Sequence, residues 1–352
     1  MNDGNCFDVL IVGAGPAGSC AARAAAEAGA RVLMIEKRMK IGEPVQCAEF
    51  VPRLLAREVN IPSETIAQEV QGMTTFMPNG EILRKRTPGF IIDRAGFDKA
   101  LAMDASKAGA KILTGTRAVS KEGDRVKVLG PSREYEIRST IRIGADGPDS
   151  VVGSWIGRKN RKYMQALQHT VRLKQSTNDT EVYFDREYPG GYAWLFPKGE
   201  KANVGVGVLR ELGGVAGHAL KIFKDKIGDR IGEVFQITAG RIPVGGPLHF
   251  IDMHAGIMLV GDAAGHTHAI TGGGIPQAVI CGGMAGRAAA AYVNGDKEAI
   301  QVYFDLWRSK FGTMLDKAVK KREEMDAGWG KGSLTELLKR CWIAYREYYD
   351  ED

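Results

Sequence analysis

The fold turns on one stretch, "FDVLIVGAGPAGSCAARAAAEAGARVLMIEKR" (residues 7–38). It opens and closes on runs of Val, Leu, Ile and Met without polar alternation, the pattern of strands covered on both faces in a parallel sheet. Between them lie a glycine turn and an alanine-rich segment, so the stretch predicts strand, turn, helix and strand. Gly13, Gly15 and Gly18 keep G-x-G-x-x-G spacing at the helix head. Gly13 permits a tight turn, Gly15 lets an anionic ligand approach the backbone, and Gly18 lets helix and strand pack closely. Eighteen residues past Gly18, Glu36 ends the second strand, where a carboxylate can accept hydrogen bonds from a ribose. A glycine turn alone can be mere packing. With strand, helix and terminal acid in order it predicts dinucleotide binding, and the acid disfavours a 2′-phosphate.

Outward from this unit the texture changes after residue 70. "GMTTFMPNGEILRKR" (72–86) alternates around a Pro-Asn-Gly turn, as an antiparallel hairpin does. "DRAGFDKALAMDASKAGAKIL" returns to helix and strand, and from about 165 to 245 antiparallel signals dominate. From 297 onward Lys, Glu, Leu and aromatics predict helices. The expected fold class is α/β: a Rossmann-like nucleotide-binding domain, an inserted antiparallel β-sheet substrate domain and a helical C-terminal segment. Residues 1–70, 91–160 and 245–297 are assigned to the first, 71–90 with 161–244 to the second, and 298–352 to the last.

Composition narrows the function classes. The 352 residues are 44% hydrophobic and 26% charged, as in an ordinary globular protein of about two domains. The +6 net charge carries no Lys/Arg block, so nucleic acid is not an expected partner; mild attraction to anionic surfaces or acidic ligands is. Cys6, Cys20, Cys47, Cys281 and Cys341 are scattered without C-x-x-C spacing, which argues for a reducing, cytoplasmic setting and against a disulfide framework or zinc site. The histidines offer no metal spacing, and no metal is expected. The N-terminus shows no secretory signal and no twenty-residue apolar helix is present, so any membrane contact is expected to be peripheral. Without G-x-S-x-G, H-E-x-x-H or paired carboxylates, hydrolase readings fall away.

A second stretch, "LVGDAAGHTHAITGGGIPQAVICGG" (259–283), has one acid, Asp262, and seven glycines. Gly272, Gly273, Gly274 and Pro276 break any membrane span, leaving strand, loop and helix. Its helix N-terminus supplies unpaired N–H groups and a positive dipole end, suited to an electron-rich ligand resting on bare backbone. Packing of a helix on a sheet is the plainer alternative. His266 and His268 sit in this loop, either donating to a ligand carbonyl or serving the loop alone.

"GADGPDSVVG" places Asp146 and Gly147 after another strand. With G-x-G-x-x-G, A-D-G-x-x-S and G-D-A-A in order, residues 7 to about 290 resemble the flavoproteins of para-hydroxybenzoate hydroxylase type. The resemblance implies FAD, with Asp262 on its ribityl–pyrophosphate portion and Gly273 and Gly274 under the isoalloxazine ring. "KIGEPVQCAEF" (40–50) and "YAWLFPKG" (192–199) further resemble the geranylgeranyl reductases, flavoenzymes that saturate double bonds of isoprenoid chains in lipids, quinones or pigment precursors. Alanine stands at Ala48 where that family's P-V-x-C-G-E element has glycine. The same matching puts Arg94 in contact with FAD and lines the flavin with Ala17, Glu36, Cys47, Ala48, Ala118, Asp262, Gly274 and Ile275; Lys37 belongs to the same pocket.

Tyr192, Trp194 and Phe196 alternate along one strand and so share a face. They form either an aromatic wall for an apolar chain or core packing, and with Cys47 they are the candidate catalytic residues. Cys47 is otherwise a small buried hydrophobe. An isolated alkene needs a proton on one carbon and hydride on the other; the acid stays open between water, the reduced flavin and Cys47. No second G-x-G-x-x-G exists for a nicotinamide domain, so electrons are expected from transiently docked NAD(P)H or from a ferredoxin-like redox protein. An FAD monooxygenase or halogenase on the same scaffold is the alternative. In the tail, Leu337, Leu338, Cys341, Trp342 and Tyr345 read as one helical stripe that either meets a membrane interface or packs on the body.

Overall fold

The computed structural model describes residues 5–248 and 256–350; positions 1–4, 249–255 and 351–352 of the expected domain ranges lie outside the described residues. The chain lays down β1 (Cys6–Val12), α1 (Pro16–Glu27) and β2 (Val32–Ile35), then crosses to a second sheet for β3 (Phe50–Pro52), β4 (Ile66–Phe76) and β5 (Ile82–Ile92). It returns through α2 (Arg94–Lys107) to β6 (Lys111–Leu113), β7 (Arg117–Glu122), β8 (Arg125–Leu129) and β9 (Glu134–Gly144). After α3 (Val151–Trp155) it crosses again for β10 (Tyr163–Leu173), β11 (Asp179–Tyr183), β12 (Tyr192–Lys198), β13 (Lys201–Leu209), α4 (Ala216–Ile227) and β14 (Ile231–Pro243). Last come β15 (Ile257–Leu259), α5 (Ile275–Val293), α6 (Ala299–Trp307), α7 (Thr313–Gly328) and α8 (Leu334–Cys341).

The first sheet runs β6-β2-β1-β9-β8-β7, with β15 also on β9. β6, β2, β1, β9 and β15 pair in parallel, while β7, β8 and β9 form an antiparallel meander. The unbroken apolar run of β1 follows from its two covered faces. Val9 and Ile11 pack toward α1, α2 and α5, and Leu10 and Val12 toward Val126, Val128 and Val152.

The second sheet runs β14-β10-β13-β12-β11-β4-β5-β3, antiparallel except for the β4–β11 pair. It draws strands from 50–52 and 66–92 as well as 163–243, so pairing extends to either side of residues 71–90. One of its faces is covered by α4, whose Leu220 and Phe223 meet Val204, Val206 and Val208 of β13. The other face looks back at the first sheet, and the large cavity lies between the two.

The tail is helical to Cys341. There the helix ends, and Trp342 is extended (φ −103°, ψ 128°). The apolar stripe is nevertheless buried: Leu337, Leu338, Cys341, Trp342 and Tyr345 pack on Met77, Val182 and Phe184, so they belong to the body. Among the described residues, no helix is long and apolar enough to cross a membrane.

Candidate active site

The cavity has a volume of about 1530 Å³, above the roughly 300–1,000 Å³ of a site for one drug-sized ligand. Its nucleotide end is built by the first glycine turn. Gly13 has φ +105°, and a Cβ there would stand 2.3 Å from the Ala145 carbonyl oxygen. A Cβ on Gly18 would come within 1.9 Å of the Gly13 carbonyl oxygen, so this glycine seats α1 on β1 and does not line the cavity. A Cβ on Gly15 would meet no protein atom within 4 Å. Its bare backbone faces open cavity where α1 begins. The three glycines thus have three different physical reasons.

Glu36 accepts from the backbone N–H of Ala14 and of Arg38, both at 2.9 Å. A carboxylate has about four lone-pair sites, so two stay available to ribose hydroxyls. Asp146 works differently. Its oxygens accept from the Ser150 hydroxyl (2.5 Å) and the N–H groups of Val151 (2.7 Å) and Val152 (3.2 Å), tying the loop to the head of α3. Gly147 beside it has φ +82° and opens on the cavity.

α5 supplies the second anion-seeking end. Cβ atoms on Gly282 and Gly286 would lie 2.2 Å from the carbonyl oxygens of Ala17 and Ala21. The two helices therefore lie backbone to backbone and run parallel, with both N-termini facing the same cavity. α5 starts seven residues before Gly282, which places its N-terminus about 10 Å beyond the level of Ala17. Gly273, Gly274 and Ile275 line the cavity at that end. Asp262 lines it too, its carboxyl held by the Thr267 hydroxyl at 2.7 Å. Burial pushes the Asp262 carboxyl up, against that hydrogen bond and the charge of Arg94.

Arg94 opens α2 and pairs with Asp98 at 2.6 Å. Burial opposes its charge, but the paired Asp98 carboxylate offsets this, and the guanidinium stays protonated. Cys47, Ala48, Lys37, Ala118 and Ala17 also line the cavity. Burial raises the Cys47 thiol above its ordinary range, more than Arg94 lowers it, so Cys47 is a neutral thiol at physiological pH. His268 reaches the cavity and His266 does not; His266 packs against Trp307 instead. Burial lowers them to about 4 and about 3, so both are neutral.

Tyr192, Trp194 and Phe196 all face the cavity from β12. Opposite them on β13 stand Gly207, Gly205 and Asn203. A Cβ on Gly205 would be 2.3 Å from the Trp194 ring, so glycine there makes room for the indole. The ring crosses to β10, where its N–H donates to Gln168 (3.0 Å), and Gln168 in turn donates to the Cys47 carbonyl (3.0 Å). The Tyr192 hydroxyl donates to the Thr271 carbonyl in the glycine loop at 2.5 Å. The aromatic wall is thereby tied to both nucleotide-side loops.

Sequence reasoning gave no site role to Gln168, Asn203 or Tyr348, carried Glu49 only as the end of the P-V-x-C-G-E element, and read Trp342 only as part of the tail stripe. Glu49 is buried at φ +73° and accepts from the Arg94 N–H (2.9 Å), Lys198 (2.7 Å) and Asn203 (2.7 Å). A signal for Asn203 was present: it is the one polar residue inside the apolar run "ANVGVGVL".

Comparison with known proteins decides the family. Residues 8–140 match the FAD dependent oxidoreductase family, and residues 162–241 match the geranylgeranyl reductase catalytic domain. The digeranylgeranylglycerophospholipid reductase of Methanosarcina acetivorans is 38% identical over 89% of this chain and 83% of its own. The chain belongs to the geranylgeranyl reductase family. A geranylgeranyl bacteriochlorophyll reductase-like protein from Thermoplasma acidophilum superposes with a TM-score of 0.86 at 30% identity, covering 97% of this chain and 92% of that one. A flavin-dependent brominase, at 18% identity and a TM-score of 0.73 over 95% of this chain and 91% of its own, shares the fold alone.

The protein is an FAD-dependent oxidoreductase, as the ordered motifs implied. The residues present fit that cofactor. Gly15 leaves a cradle a side chain would fill, Glu36 keeps acceptor capacity, and two helix N-termini converge on the cavity.

Proposed function

We propose that the enzyme saturates carbon–carbon double bonds of a geranylgeranyl-type chain carried by a lipid, quinone or pigment precursor. One observation carries this reading: the three aromatic rings of β12 share the cavity with the glycine floor at the head of α5. A buried isoprenoid gains about 0.8 kcal/mol per CH₂ from such a wall. When bound and reduced by the external donor, FAD would supply the hydride. This chain's residues hold the cofactor and align the alkene, and its apolar walls exclude water.

The proposed cofactor set is Gly13, Gly15, Ala17, Glu36 and Lys37 at the nucleotide end, with Gly18 supporting the turn and Asp146, Gly147 and Ala118 beside it. Cys47, Ala48, Arg94, Asp262, Gly273, Gly274 and Ile275 form the flavin end. Tyr192, Trp194 and Phe196 face the substrate, and their rings stabilise developing positive charge. The proton for the alkene carbon comes from water, the reduced flavin or the Cys47 thiol; in the last case the thiolate left behind is reprotonated from solvent before the next turnover. We assign the first sheet with its helices to FAD and the second sheet to substrate, and place electron supply with NAD(P)H or a small redox protein. The lipid substrate implies peripheral contact with the inner face of the cytoplasmic membrane.

The test is anaerobic. The flavin is reduced, a polyprenyl lipid is added, and flavin reoxidation is followed together with a mass gain of two hydrogens per double bond. Reoxidation that needs oxygen and an aromatic substrate would assign the protein to the monooxygenases.

A further inference from the structure

We propose that Trp342 is the stop that sets how long a polyprenyl chain the cavity accepts, an inference that rests on the reductase reading above. The aromatic wall does not end at Tyr192. The Trp342 ring follows it at 5.4 Å, lines the cavity on one side and is only 3% exposed. The same ring makes a T-shaped contact with Phe184 at 5.0 Å. Phe184, Met77, Leu338 and Cys341 belong to the same apolar cluster but do not line the cavity. Trp342 thus stands, with Val182, Tyr192 and Tyr348, between the chain-binding space and an apolar core, and it is the largest side chain of that boundary.

Its orientation is fixed. The indole N–H donates to the Thr75 hydroxyl on β4 at 3.1 Å, so the ring cannot swing aside without leaving a buried donor unpaired. Because Trp342 lies just past the end of α8 with extended dihedrals, its ring can be trimmed without breaking a helix. An apolar wall discriminates by length only where something blocks it, since each further CH₂ otherwise adds about fourfold in affinity.

The experiment measures equilibrium binding to the oxidised, FAD-loaded protein, read from the flavin spectrum, of glycerol lipids bearing chains of four and of five isoprene units. Wild type is expected to bind the shorter chain at least about tenfold more tightly. Trp342→Leu and Trp342→Ala are expected to bring the two within about threefold, and Trp342→Phe to keep most of the preference. Flavin content and melting temperature identify folded variants, and the leucine variant keeps most of the apolar fill should the alanine variant fail. A folded Trp342→Leu protein that retains the wild-type ratio overturns the assignment. Wild-type protein that binds neither chain overturns the reductase reading, and this inference with it.

Discussion

Replacing Glu49 tests how the Cys47 loop is held. Its carboxylate gathers the Arg94 N–H, the Lys198 ammonium and the Asn203 amide, joining α2, β12 and β13 to the loop that carries Cys47 and Ala48. Removing one partner of a buried pair typically costs about 3–5 kcal/mol. Lys198 is 21% exposed and can turn toward water, so the low end applies: about 3 kcal/mol for Glu49→Ala. At this chain length that corresponds to a fall of about 4 °C in melting temperature. Glu49 also sits at φ +73°, a conformation costing a non-glycine residue about 1–2 kcal/mol. Glu49→Gly loses the same bonds but is released from that cost, so it should be about 1 kcal/mol more stable than Glu49→Ala, less any gain in chain entropy. Urea unfolding of the FAD-loaded proteins measures both differences. An alanine variant within about 0.5 kcal/mol of wild type, or a glycine variant no better than alanine, would refute the reasoning.

Gly15→Ala should melt like wild type as apoprotein, because its methyl meets no protein atom, yet bind FAD at least about tenfold more weakly in a fluorescence titration. Gly205→Val should push the Trp194 indole off its seat and break its bond to Gln168, costing about 1–3 kcal/mol in denaturant unfolding and altering tryptophan fluorescence. His266 is buried neutral with its affinity for protons lowered to about 3, while in the unfolded chain it titrates near 6.5. The unfolded state therefore binds more protons below about pH 6.5, and stability falls as pH drops toward 3. His266→Phe should remove up to about 1.4 kcal/mol per pH unit of that slope, measured as the difference from wild type in unfolding between pH 6 and 4. In native alkylation Cys6 should react first, because it is exposed while burial lifts Cys20, Cys281 and Cys341 to about 12.

Much of this was legible along the chain. β1, α1 and β2 announce themselves because strands covered on both faces need unbroken apolar runs, and each glycine of the first turn meets its own local constraint. The β12 aromatics were readable from period two alone. The pairing that makes room for them was not, because register sets Trp194 against Gly205. Helical periodicity ran on through Trp342 and Tyr345, but the backbone leaves the helix at Cys341. What holds Trp342 is Thr75, 267 residues away, a contact no local pattern encodes. Glu49 was hidden for the same reason, since its partners lie between 45 and 154 residues off. The A-D-G-x-x-S motif revealed Asp146, but its carboxylate spends its hydrogen bonds on Ser150 and the head of α3.

The glycine seam between α1 and α5 makes the pair a ruler. With Gly282 and Gly286 pressed on Ala17 and Ala21, neither helix can slide along the other, and their positive ends keep a fixed offset of about 9 Å along the helix axis. A mononucleotide such as FMN lacks an adenosine and would leave the acceptor capacity of Glu36, the proposed ribose contact, unused. On the proposed cofactor site, enlarging either glycine should shift one helix end against the other and weaken FAD binding without touching a single atom of the ligand.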